Sequence, residues 1–73
     1  MTQIVDARGL SWPQPVLMTM EEIEKSGKRE IEILVDTDTS KENVSRAATS
    51  KGWEVRNVTE EGTGYRIVIK KDA

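Results

Sequence analysis

Asp6-Ala7-Arg8-Gly9-Leu10-Ser11-Trp12-Pro13-Gln14-Pro15-Val16 is the stretch whose reading decides the fold. It follows an apolar run closed by Ile4 and Val5 and leads into residues whose apolar members recur at helical spacing, so it marks a strand handing over to a helix. Gly9 permits a turn that a Cβ would hinder. Pro13 and Pro15 suit a helix's first turn, where backbone N–H groups lack intrahelical partners. Residue 12 therefore faces a helix N-terminus. That end carries roughly half a positive charge and unpaired donors, so it favours an anion, and a thiol placed there ionises more readily. Position 12 holds tryptophan, whose indole is no nucleophile.

Working outward, residues Thr2 to Asp6 predict a short strand and Pro13 to about Lys25 a helix. Val16, Met20 and Ile23 form the helix's apolar stripe, Leu17 widens it, and Glu21, Glu22 and Glu24 are left for water. Met18 and Met20 read as packing residues, since Met fills irregular gaps. Gly27 stops the helix, and Ser26 and Lys28 complete a polar turn. Glu30 to Asp36 alternate, with Ile31, Ile33 and Val35 on one side and Glu30, Glu32 and Leu34 on the other, the mark of a half-buried strand. Thr39 and Glu42 stand at capping-box spacing, with Asp38 and Ser40 as rival caps, so a second helix is expected to start near Ser40. Val44, Ala47, Ala48 and Lys51 share one of its faces, and Gly52 ends it.

Trp53 to Thr59 and Tyr65 to Lys71 are two further alternating runs. Glu60-Glu61-Gly62-Thr63-Gly64 between them reads as a hairpin loop. Trp53, Val55 and Asn57 are expected on one side of the first run, and Tyr65, Ile67 and Ile69 on one side of the second with Val68 opposite. The order is β-α-β-α-β-β. Its strand-helix-strand opening implies a right-handed crossover and a parallel pair, to which the hairpin adds antiparallel pairing. Only one side of the strands is consistently apolar, so both helices belong on one face. The expected fold is an α/β (α+β) two-layer sandwich with a four-stranded mixed sheet, its other face carrying Glu32, Arg56, Arg66 and Lys70.

Seventy-three residues are expected to make one domain, 1–73, with a thin core. The absence of cysteine and histidine excludes a disulfide framework and a zinc module, and no metal or cofactor is expected. Eleven basic and thirteen acidic residues give a net charge of −2 with the signs mixed, which does not suit nucleic-acid binding through bulk charge. Tyr65 and Trp53 are too few to make a base-stacking platform. Without an apolar membrane span or a signal-like start, the expectation is a cytoplasmic protein with no membrane partner.

Gly9, Leu10, Pro13 and Pro15 reproduce the signature Gly-Leu-x-Cys-Pro-x-Pro, and Trp12 falls on its cysteine. In this the chain resembles the TusA-like (SirA-like) sulfur-carrier family. Val35-Asp36 and Lys41-Glu42-Asn43-Val44-Ser45-Arg46 look like the branch represented by the amino-terminal domain of YedF, which the family links to selenium metabolism. The resemblance implies the same β-α-β-α-β-β fold and a carrier residue that takes a sulfur atom as a persulfide from a cysteine desulfurase or another donor and hands it to an acceptor protein. It makes residue 12 the reactive position and Arg8, Gly9, Leu10, Pro13 and Pro15 its turn and partner contacts. Arg8 either adds a positive charge beside residue 12 or is a side chain that is solvated or paired with Asp6.

Three readings of Trp12 stand side by side: a degenerate carrier, a deliberate replacement, or a selenocysteine codon read as tryptophan. The third is preferred, because the codons for cysteine, selenocysteine and tryptophan share their first two bases. As written, the chain is inert in transfer, so whether it is a sulfurtransferase-like enzyme hangs on position 12. The alternative is a non-catalytic interaction module that uses Trp12 as a docking anchor. Asp36, Asp38, Glu42 and Asn43 around the second helix start are read as capping residues rather than a metal site.

Overall fold

The computed structural model describes residues 3–25, 27 and 29–71. Their elements are β1 (Gln3–Asp6), α1 (Gln14–Lys25), β2 (Glu30–Val35), α2 (Asp38–Ser50), β3 (Glu54–Glu61) and β4 (Gly64–Lys70). The sheet order is β1-β2-β4-β3, with β1 and β2 parallel and the other neighbours antiparallel. The four-stranded mixed sheet and two-helix layer expected from the alternation are thus in place. Ser26 and Lys28, assigned above to a polar turn, lie outside the described residues. Gly27 adopts φ +68° just beyond α1.

Ile31, Ile33 and Val35 of β2 and Ile67 and Ile69 of β4 are fully buried beneath the helices, joined by Val44 and Ala48 of α2. Trp53, 5% exposed, is a core residue although it precedes β3. Its N–H bonds the Ala48 carbonyl at 3.0 Å, which ties the end of α2 to the start of that strand.

Helix α1 is rotated from its expected phase. Pro15 and Thr19 are its buried residues, while Val16, Met18 and Ile23 pack against the core. Leu17 is 53% exposed and Met20 only half-buried. Thr19 is a poor core residue by composition, but its hydroxyl donates to the Pro15 carbonyl at 2.8 Å, so no polar atom is left unsatisfied by burial. Leu17 lies two residues back, about 200° around the helix, on the opposite side.

The start of α2 also differs. Thr37, extended at φ −136° and ψ 155°, is the N-cap and accepts from the Ser40 N–H at 3.0 Å. The cap therefore lies two residues before the Thr39 of the expected Thr39–Glu42 box, because β2 ends at Val35 and leaves Thr37 in the extended geometry a cap requires. Ser40, Val44 and Ala48 form its buried line, whereas Lys51 is exposed at the C-cap.

The hairpin is tighter than the five-residue loop expected. Glu61 pairs with Gly64, so Gly62 and Thr63 alone form the turn. A bulge at Arg56 pairs Val55 with Ile69 but Asn57 with Val68. A bulge exchanges the two faces downstream of itself. Asn57 thus leaves the side it was assigned with Val55, and Val58, paired with Ile67, takes its place. On the far face Arg66 bridges Glu32 and Glu61, the latter at 2.6 Å.

Candidate functional site

Residues 7–13 connect β1 to α1 at the end of the sheet where α2 also begins. Ala7 is fully buried and its N–H reaches the Leu34 carbonyl at 2.9 Å, which anchors the start of the turn. Gly9 follows at φ +78°, a region L-residues rarely adopt, so the sequence's glycine is matched by the backbone's need. Its N–H donates to Asp36 Oδ2 at 2.8 Å. That bond pins the turn to the junction between β2 and α2, across 27 positions of sequence.

Arg8 turns back on Asp6. Its Nε and Nη2 donate to the two carboxylate oxygens at 2.8 and 2.7 Å, and its backbone N–H adds a third bond at 3.2 Å. The hydrogen bonds from Arg8 hold the Asp6 carboxyl down at about 2, and the same pairing raises Arg8. Of the two roles open to Arg8, the fold supplies the pair with Asp6.

Trp12 is 66% exposed and projects from the turn. The Pro13 carbonyl accepts the Leu17 N–H and the Ser11 carbonyl accepts the Gln14 N–H, both at 2.9 Å. With Pro13 and Pro15 lacking N–H groups and Gln14 donating to Ser11, the first turn offers fewer free donors than the helix end expected above. Pro15 is buried and fixes the helix on the sheet, while Pro13 and Leu10 stay at the surface. The turn thus holds Arg8, Gly9, Leu10, Trp12, Pro13 and Pro15 in one short segment, with Arg8 directed to Asp6.

Two clefts flank Trp12. One, of about 270 Å³, is lined by Leu10, Ser11, Trp12, Pro15 and Val16 and, from across the seam, by Thr37, Thr39, Ser40 and Asn43. A second, of about 330 Å³, runs along the helix seam past Val16, Asn43, Arg46, Ala47 and Ser50. The contribution of α2 was not legible as a site in the sequence, since its polar start has the composition of any helix cap.

Thr37 rather than an acidic residue is the α2 N-cap, although Asp38 lies in the helix's first turn, where a negative charge suits the dipole. Asp36 holds Gly9, and Asp38 accepts from the Tyr65 hydroxyl, which lowers Asp38 and raises Tyr65. Lys41 Nζ lies 3.5 Å from Asp38 Oδ1 and 4.5 Å from the Tyr65 ring centroid, so that ring is engaged rather than presented for stacking. Thr37 provides the cap. Among the described residues, no group of three or more His, Cys, Asp or Glu could hold a metal ion, and no helix is long and apolar enough to cross a membrane.

An exposed side chain on a braced strand-helix turn, flanked by two clefts, places the candidate site of this small α+β domain at its surface. A family model described as Sulfurtransferase TusA matches residues 3–71, and the chain belongs to that family. A Methanocaldococcus jannaschii protein named as a candidate sulfur carrier is 35% identical over 68 residues, 92% of this chain and 91% of its own length. The crystal structure of a SirA-like protein from Desulfitobacterium hafniense superposes with a TM-score of 0.84 over the whole of both chains; at 23% identity it shows a likeness of fold.

Proposed function

We propose that this chain is a sulfur- or selenium-relay domain of the YedF branch whose reactive position is residue 12, inert while tryptophan occupies it. The observation that carries the reading is Trp12 itself, 66% exposed on the braced turn where the family signature has its cysteine. In the relay, a thiolate or selenolate at position 12 attacks the outer sulfur of a donor's persulfide. The donor's S–S bond breaks, the donor leaves as a thiolate, and the carrier keeps the sulfur for a second protein, with no net oxidation. A carrier of this kind needs access for two successive partners more than an enclosed pocket. A cysteine desulfurase is the donor this chemistry suits, and the cytoplasm keeps such thiols reduced. Neither a metal nor a cofactor has a part in the exchange.

A selenocysteine codon read as tryptophan remains the preferred origin of position 12. The codon in the source gene tests it: UGA supports it and UGG rules it out. The Trp12→Cys variant tests the relay without ambiguity, because the chain has no other cysteine. Incubated with a cysteine desulfurase and labelled cysteine, it is expected to acquire one labelled sulfur. Failure to label removes the relay reading.

A second reading rests on the exposed indole beside Leu10 and two clefts. Here the chain is a non-catalytic module and Trp12 its anchor in a partner's pocket. Loss of a partner on Trp12→Ala, with no sulfur uptake by Trp12→Cys, supports it.

A further inference from the structure

Two helices, of 12 and 13 residues, begin at the same cleft. One wall comes from the turn around Trp12 and the first residues of α1, the other from Thr37, Thr39, Ser40 and Asn43 at the start of α2. The start of α2 carries partial positive charge, and the start of α1, with fewer free donors, adds less. Ser40 supplies an independent sign of a ligand. It is 9% exposed and its N–H is bonded to Thr37, but its hydroxyl has no hydrogen-bond partner among the described residues. Nor is that hydroxyl sealed away, since none of the described buried side-chain N or O atoms is both inaccessible and unpartnered. Ser40 is one of the residues that line the cleft. Polar groups so nearly buried ordinarily find a partner, and this one is left free to donate.

We propose that this cleft receives the anionic sulfur or selenium atom borne at position 12, with the Ser40 hydroxyl as a hydrogen-bond donor to it. The inference rests on the relay reading. No residue lining the cleft carries a full charge. The charges nearby are engaged elsewhere or set aside: Arg8 on Asp6, Asp36 on the Gly9 N–H, Asp38 on Tyr65 and Lys41, and Arg46 in the neighbouring groove. A recess of hydroxyls, one amide and helix ends over the apolar Leu10, Pro15 and Val16 suits a single, weakly hydrated charge. A strongly hydrated dianion such as phosphate would find no cation among the residues that line this cleft to replace its water. It therefore matches a persulfide or selenolate.

The test compares the full chain as Trp12→Cys, Trp12→Cys/Ser40→Ala and Trp12→Cys/Ser40→Thr, reading ionisation of the thiol introduced at position 12 by thiolate absorbance against pH. Ser40→Ala is expected to raise the midpoint by about one unit, cutting the thiolate fraction below it about tenfold. Ser40→Thr, which keeps the hydroxyl, is expected to restore it. Alanine is the best helix former, so the α2 backbone tolerates the change. Ser45→Ala serves as a control, because Ser45 lines a different groove on the same helix. An unchanged midpoint in Ser40→Ala, or an equal shift in Ser45→Ala, overturns the proposal. A chain that takes no label from a desulfurase yet shows the Ser40 dependence loses the relay and keeps the cleft. Labelling without that dependence does the reverse.

Discussion

Asp36→Ala removes a side chain that fastens the turn bearing residue 12 to the rest of the fold. Oδ2 lies 2.8 Å from the Gly9 nitrogen, and the bond joins a charged acceptor to a backbone donor held at φ +78°. Hydrogen bonds to charged groups contribute about 1.5–3 kcal/mol when shielded from water. This one is exposed, and water can take the carboxylate's place at the Gly9 N–H, so the expected loss is about 1 kcal/mol. For a domain of this length that lowers Tm by about 4–8 °C. Asp36→Asn keeps an oxygen acceptor and is expected to lose about half as much. Urea unfolding measures the global term, and hydrogen exchange at the Gly9 amide measures the local one, with exchange about fivefold faster in Asp36→Ala. In the Trp12→Cys background, sulfur uptake is expected to fall as the display turn loosens. Gly9 exchange identical in wild type and Asp36→Ala would refute the staple, whatever happens to Tm.

Gly64→Ala places a Cβ inside van der Waals contact of the Val35 carbonyl oxygen and 3.0 Å from Asp36 Cα. Because backbone must move, a loss of about 3 kcal/mol is expected on denaturation; a neutral variant would contradict the packing of β4 on β2. Asp6, held at about 2 by Arg8, contributes stability that is fully present above the usual carboxylate value of 3.8 and is lost as pH falls from there towards 2. Urea midpoints across that window are expected to fall less steeply in Arg8→Ala than in wild type. Acrylamide is expected to quench exposed Trp12 and spare buried Trp53, so Trp12→Phe should abolish the quenchable emission. A residual signal quenched as strongly as in wild type would show that Trp53 is not in the core.

The fold was legible because period-2 alternation at Ile31, Ile33 and Val35 and at Ile67 and Ile69 is a local signal, and one apolar side per strand admits only one layer of helices. Gly9 and the prolines likewise marked the turn through their own backbone limits. What sequence reading missed lies in bonds and pairings that spacing alone does not show. The phase of α1 went astray at Leu17 because Thr19 hides its hydroxyl on the Pro15 carbonyl, a bond composition does not advertise. The face of Asn57 was misplaced because a bulge at Arg56 is a matter of pairing with β4.

Residues alone determined the order of the elements and the position of an exposed turn before a helix, since both follow from local spacing and backbone chemistry. Tertiary structure alone decided that Asp36 braces that turn and that the start of α2 forms the wall opposite Trp12. The physical reason is distance along the chain: these contacts form only when the sheet brings the ends of β1 and β2 side by side.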